Sequence, residues 1–434
     1  MPSSTWLIAA TSAFRAEWGG AVVTRLLADG GWGRPPLPSL AQSGPVGASS
    51  WGAPRSEAQL ASSPEPHGGN RSAAARRLGC RPEQLLDASA SLVPFGPPAR
   101  LRRRLAALLR GPALRDYPDR SYSALCQAIA AHHGLDPAWV LPGNGAAELF
   151  TWAARDAAAC GASLLPAPGF ADYRRALACW GAEALALPLP LQWEGPGPSA
   201  FPLAASTAPA APVLWLTNPH NPSGQLWSRA SLEPLLERCA LVIADEAFLP
   251  LLGGGEAESL IPLLERHPHL VVIRSLTKLL SIAGLRLGYA LGDPERLRRW
   301  AGWRDPWPVN GLAAGLGAVA LGDGRWQARV QRWVAREGPW LHEQLAAIPG
   351  LDPRPSAANY LLLRGSCHGQ PVSLEPLRQA LERRHRVLLR DCRSFERLDD
   401  TWLRLALQDR HGNRRLLRAL RAEWPDAGPP QTSS

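Results

Sequence analysis

Lysine is all but missing. Lys278 is the only lysine in 434 residues, and every other residue among the 47 Lys+Arg is arginine. Where arginine serves wherever a positive charge or a long stem is wanted, the one lysine kept marks a position that a guanidinium cannot fill. A primary amine can lose its proton and condense with an aldehyde; a guanidinium cannot, because its pKa stays too high. Metal-type cysteine spacing is missing too. The seven cysteines form no CxxC pair and no zinc-like pattern, which predicts reduced, buried thiols in a cytoplasmic protein and no metal site. No apolar run approaches the length of a membrane span. The first residues carry no basic segment, and their short apolar run is broken by Arg15, so neither a membrane protein nor a secretory leader is expected. The net charge of +10 comes without any basic run interleaved with aromatics, which argues against nucleic acid and suits small anionic ligands.

The length predicts two domains, and a composition of 46% hydrophobic and 19% charged residues supplies a large core. Residues 1–64 are rich in Gly, Ser, Pro and Ala. They read as a disordered extension, with at most one helix near residues 11–28. Order is expected from His67-Gly68-Gly69-Asn70, a turn leading into a helix at Arg71–Leu78. An extended stretch, Leu86–Leu92, ends in a Pro/Gly turn before a basic helix from Ala99 to Leu109, and a further amphipathic helix spans Ser123–His133. From there apolar runs alternate with helices. Trp139–Pro142 enters Gly143-Asn144-Gly145-Ala146-Ala147-Glu148, whose glycines open a long helix through Ala158. Ser163–Pro166, Val213–Leu216, Ala240–Ala244 and Leu270–Ile273 read as buried parallel strands, each running into polar residues at its C-terminal end. That pattern describes an α/β sheet that binds ligands at those ends. Beyond Trp307 the chain is helix-rich, with helices expected at Gly311–Leu321, Trp326–Ile348 and Asn413–Trp424. Short strands are expected near Tyr360–Leu363, Val387–Leu389 and Thr401–Leu407.

Four stretches carry chemistry. The segment Ser275-Leu276-Thr277-Lys278 follows an apolar strand and precedes Gly284, Arg286 and Gly288. Asp245-Glu246-Ala247-Phe248 and Asn218-Pro219-His220-Asn221-Pro222-Ser223-Gly224 each end a strand. Gly145 and Ala146 begin a helix, where backbone N–H groups and the helix dipole favour an anion; taken alone, such a glycine-rich turn is only a turn.

Together, in this order, these motifs resemble the fold-type I aminotransferase superfamily, whose cofactor is pyridoxal 5′-phosphate. The resemblance covers residues 67–422 and implies an α/β architecture: a large domain with a mostly parallel sheet over 111–306, and a smaller α+β domain built from 65–110 and 307–424, with residues 425–434 a disordered tail. It implies that Lys278 forms the Schiff base with the cofactor and that Asp245 keeps the pyridine nitrogen protonated. It implies further that Asn221 donates to the ring oxygen, that Phe170 stacks on the ring, and that Ser275, Arg286, Gly145 and Ala146 hold the phosphate. Phe248 falls where related families carry a tyrosine that supplies a second donor, which phenylalanine cannot do. Tyr117, in Tyr117-Pro118-Asp119, matches a tyrosine that reaches the neighbouring subunit's cofactor phosphate, implying a homodimer with shared active sites.

On the substrate side the resemblance points to Asn359, to Arg404 as the anchor of the α-carboxylate, and to Arg390 as a second guanidinium. HGGN with His67 and Asn70, GNGAAE, DEAF and LLRDCRSF are similar to the threonine-phosphate decarboxylases of cobalamin biosynthesis, with histidinol-phosphate aminotransferases the near relatives. Where that pattern has asparagines this chain has Ser91 and Val93, one of which is expected near the substrate. A transcriptional regulator built on such a domain would need a helix-turn-helix module, and residues 1–64 lack the paired apolar-periodic helices for one.

Overall fold

The central element is a seven-stranded sheet. Its strands in chain order are β1 (Val140–Gly143), β2 (Ser163–Ala167), β3 (Ala184–Pro188), β4 (Val213–Thr217), β5 (Leu241–Asp245), β6 (Leu270–Ser275) and β7 (Gly288–Gly292). They lie in the order β1-β7-β6-β5-β4-β2-β3. All run parallel except β7, which is antiparallel to both neighbours. The coordinates are a computed structural model that describes residues 67–203 and 212–424. The extension expected over 1–64, its helix near 11–28 and the tail over 425–434 lie outside the described residues.

The sequences of β4, β5 and β6, VLWLT, LVIAD and LVVIRS, are buried along their whole length. A strand covered by helices on both faces needs such continuous apolar residues, and β-branched Val and Ile pack well on the pleat. Parallel strands put all their C-terminal ends on one edge. The residues just past those ends are Asn144-Gly145, Pro168-Gly169-Phe170, Asn218–Asn221, Glu246–Phe248 and Leu276–Lys278.

A five-stranded sheet lies later in the chain, built on Leu351–Pro353, Tyr360–Cys367, Trp402–Ala406 and Arg390–Asp391, with Gln370–Pro371 on its edge. The N-terminal stretch joins this part. Leu86–Asp87 pairs in parallel with Val387–Leu388, and Ala406 donates its N–H to the Ala88 carbonyl at 2.8 Å. The backbone after Asp87 is thereby held against the strand that carries Arg404.

Most expected elements form, with shifted ends. The helix expected at Gly311–Leu321 is two short helices, Gly311–Ala314 and Gly317–Leu321, because Gly315 and Gly317 weaken a continuous helix there. The following helix runs Gly324–Ala346 and the last one Arg410–Glu423. Among the described residues no helix is long and apolar enough to cross a membrane.

Candidate active site

The C-terminal edge of the sheet opens into a cavity of about 310 Å³. The expected residues Ala146, Phe170, Asn221, Asp245, Phe248, Ser275, Lys278 and Arg286 line it from the large sheet. His67, Arg390 and Arg404 line it from the other side. Eleven residues spread over more than three hundred positions thus meet in one place.

Lys278 sits in the helix Leu276–Leu280 directly after β6, with its Nζ 5.7 Å from the centroid of the Phe248 ring. Burial, together with the guanidiniums of Arg404 and Arg286, brings its amine down to about 8, against the pull of Asp245. An amine near neutrality both gives and takes a proton. Asp245 ends β5 and accepts hydrogen bonds from the Tyr173 hydroxyl (2.6 Å) and the Ala247 N–H (3.0 Å). Burial raises its carboxyl to about 6, which the bonds from Tyr173 and Ala247 and the nearby Lys278 amine oppose.

One corner of the cavity is built for an anion. The helix Ala146–Cys160 starts there with no side chain capping its first turn. The Ser275 and Thr277 hydroxyls lie 2.7 Å apart beside it, and Arg286 faces the same corner. Gly145 has φ +74°, and a Cβ there would stand 2.5 Å from Arg286 Nη2, so only glycine lets the guanidinium lie against the turn.

On the far wall Arg404 is buried and fixed. Its Nη1 donates to Asn221 Oδ1 at 2.5 Å and its Nη2 to the Ser89 carbonyl at 3.2 Å, while its Nε has no partner. Arg390 donates to Ser394 Oγ at 2.5 Å. Both guanidiniums lie over the Phe395 ring, 5.1 Å (Arg390) and 5.7 Å (Arg404) from its centroid. Phe170 is packed edge-on against Tyr173 (5.5 Å) and lies 5.7 Å from the His67 ring.

Four expected residues stand apart from the cavity lining. Gly145 acts through the room it leaves Arg286. Asn70 caps its own helix, its Oδ1 accepting from the Ala73 N–H. Asn359 is fully buried behind the wall, donating to the Ser91 carbonyl at 3.2 Å while its Oδ1 has no partner. Tyr117 is 77% exposed and stacks on Trp307 with centroids 4.3 Å apart, beside a separate groove. Of the two positions that depart from the family pattern, Ser91 lines the cavity and Val93 packs in the core. Tyr173, Thr277, Ser89 and Phe395 were not anticipated. The signal available for Tyr173 was its place in the first turn of the helix that follows Phe170.

The donor set fits pyridoxal phosphate. The uncapped helix start, two hydroxyls and an arginine suit a phosphate dianion. A buried carboxylate backed by a tyrosine suits a cationic ring N–H, and one amine lies within the same walls.

A family model described as aminotransferase class I and II matches residues 84–420 of the chain. The threonine-phosphate decarboxylase of Salmonella typhimurium is 39% identical over 361 residues, covering 82% of this chain and 95% of that protein. The histidinol-phosphate aminotransferase of Symbiobacterium thermophilum is 34% identical over 335 residues, covering 76% and 88% respectively. Among solved structures, the histidinol-phosphate aminotransferase from Clostridium acetobutylicum has a TM-score of 0.69 at 24% identity, over 78% of this chain and 98% of that one, a likeness of fold.

Proposed function

The chain belongs to the aminotransferase class I and II family, and from that membership we propose that it decarboxylates L-threonine O-3-phosphate with pyridoxal 5′-phosphate. The product would be (R)-1-aminopropan-2-yl phosphate, for cobalamin biosynthesis. The observation that carries the reading is the pair of buried arginines, Arg390 and Arg404, on the wall of the cavity that holds Lys278. Two guanidiniums side by side on one wall suit a ligand with more than one negative charge. An amino acid that also bears a phosphate supplies it. The 39% identity to a threonine-phosphate decarboxylase supports the same substrate.

Lys278 would carry the cofactor covalently. Ser275, Arg286 and the start of the Ala146 helix would hold its phosphate, Asp245 its ring nitrogen, Asn221 its ring oxygen and Phe170 its face. Bound there, pyridoxal phosphate supplies an electron sink for the bond that breaks at the substrate's α-carbon. The chain's own residues choose that bond. Arg404, fixed by Asn221 and Ser89, binds the α-carboxylate. His67 and Arg390 take the phosphate end, while Asn70 stays committed to its helix cap. Anchoring both ends would set the rotation about the α-carbon and so choose which of its bonds breaks; with Arg404 holding the carboxylate, that bond would be the one to CO2. Lys278 then returns a proton to the α-carbon, a task suited to an amine held near 8.

The active unit in this reading is a homodimer with Tyr117 serving its partner. Seven unpaired cysteines support a reducing, cytoplasmic setting, although against expectation only Cys126 and Cys392 are buried and Cys179 is exposed. A second reading, transamination of histidinol phosphate, is supported by the 34% identity to such an aminotransferase. Product analysis decides between them. The purified holoenzyme, given L-threonine O-3-phosphate and no oxo-acid, should release CO2 and form aminopropanol phosphate in equal amounts. No turnover there, with activity on histidinol phosphate once 2-oxoglutarate is added, would overturn the decarboxylase reading.

A further inference from the structure

We propose that Ser89 is a specificity-determining positioning residue: it fixes the separation between Arg404 and the turn carrying His67, and so selects the length of the anionic substrate. The proposal rests on the reading of the cavity as the site of a phosphorylated amino acid.

Three groups of Ser89 are engaged at once. Its Oγ accepts the Gly69 N–H at 2.9 Å and donates to Asp87 Oδ1 at 2.6 Å. Its own N–H donates to the same Asp87 oxygen at 2.9 Å. Its carbonyl accepts from Arg404 Nη2 at 3.2 Å. The turn also presses on this carbonyl: a Cβ on Gly68 would stand 2.3 Å from the Ser89 oxygen, so the residue after His67 must be glycine for the turn to seat. A single buried residue thus touches the proposed carboxylate anchor and the turn that places His67 against Phe170. Asp87 in turn pairs with Leu388, which ties the assembly to the strand Val387–Leu388. Ser89 is the single residue through which these hydrogen bonds link Arg404 to the Gly69 N–H. A ligand whose carboxylate meets Arg404 then meets the His67 turn at a separation that Ser89 sets.

The chemical class selected is a carboxylate joined to a phosphate by a short spacer. In L-threonine O-3-phosphate three atoms separate the carboxyl carbon from phosphorus, as they do in 4-phosphonobutyrate, whereas 6-phosphonohexanoate has two more. Neither phosphonate carries an amine, so neither reacts, and their binding to the holoenzyme reads the spacing directly by calorimetry. The wild type should prefer the shorter probe. Ser89→Ala removes the acceptor of Gly69 N–H and leaves the carbonyl contact to Arg404. It should weaken 4-phosphonobutyrate about tenfold and narrow the preference by a similar factor, the scale of one lost hydrogen bond at a binding wall. Ser89→Thr keeps the hydroxyl and should restore both. With L-threonine O-3-phosphate the Ser89→Ala change should appear in KM, with kcat within about twofold. A purely structural role would lower kcat or folding without changing the ratio between probes.

An unchanged probe ratio in a folded Ser89→Ala protein overturns the proposal, as does a wild type that binds both probes equally. Inactivity of the wild type on L-threonine O-3-phosphate with the probe preference intact would overturn the substrate reading and leave the spacing role standing.

Discussion

The Tyr173 hydroxyl donates to Asp245 Oδ2 at 2.6 Å and lies 2.9 Å from Thr217 Oγ1, so the central acid is held from beneath by a fully buried tyrosine. The strand register makes this possible: Thr217 and Asp245 are direct partners on β4 and β5. Tyr173 comes from the helix Ala171–Ala178 that follows β2, one strand further on. Burial and the adjoining Asp245 push the tyrosine well above its usual range, so it remains a donor at any working pH.

A neutral amide at 245 should therefore stabilise the cofactor-free protein at high pH. Burial raises Asp245 from 3.8 to about 6. An acid whose folded value exceeds its unfolded one takes up a proton on folding between those limits. Native stability is then greatest below about pH 4 and is lost as pH rises through about 6. The rise corresponds to about 3 kcal/mol. Asp245→Asn, measured by urea unfolding without cofactor, should gain up to about that amount at pH 8 and little at pH 4, while losing catalysis. A variant less stable than wild type at pH 8 would mean that the acid is stabilised there by something other than the cofactor.

Lys278→Arg keeps length and charge but cannot shed its proton at working pH. Purified with excess cofactor, the variant should lack the visible absorbance of a lysine-bound cofactor, and decarboxylation should fall on the order of 10³-fold or more. A yellow, active protein would remove Lys278 from the reaction.

Behind the site, Arg274 and Glu246 form an ion pair at 2.7 Å with both side chains almost wholly buried. Each neighbours a site residue, Ser275 and Asp245. Glu246 also accepts from Ser259 Oγ and the Leu260 N–H, both at 2.8 Å, and Arg274 reaches Glu256. Removing one partner of such a pair leaves a buried charge uncompensated. Glu246→Ala should cost about 3–5 kcal/mol in denaturant unfolding. A loss below 1 kcal/mol would show that Glu256 alone neutralises Arg274.

The parts of this site legible in the sequence share a cause. Asp245, Ser275 and Lys278 stand at or just past the ends of continuous apolar runs, and a parallel sheet brings such ends to one edge. Phe170, Asn221 and Arg286 were read by motif and spacing. The Tyr173–Asp245 bond spans 72 residues and the Arg404–Ser89 bond 315, and no local periodicity encodes either. Local chemistry also misdirects. Asn70 reads as a ligand-binding polar residue, yet the free N–H groups of the helix it precedes claim its side chain. Ser91 and Val93 look equivalent by position, and two residues apart on an extended chain would share a face; the irregular backbone there instead puts the serine on the cavity and the valine in the core.

Tyr117 carries the test of a shared active site. It is exposed and stacked on Trp307, whose other neighbour is the Arg120 guanidinium, 4.6 Å from its centroid. The adjacent groove is lined by Leu108, Pro112, Ala113 and Gly311, an apolar surface suited to a second copy. In the proposed dimer Tyr117 works in trans, and mixed subunits separate that from a role in cis. Lys278→Ala and Tyr117→Ala proteins should each be inactive at limiting cofactor. If they exchange freely, half of the dimers become hybrids. In trans, each hybrid has one site with Lys278 from one subunit and Tyr117 from the other, so activity should return to about a quarter of wild type. In cis, no site in the mixture is intact, and the mixture should stay as inactive as its parents.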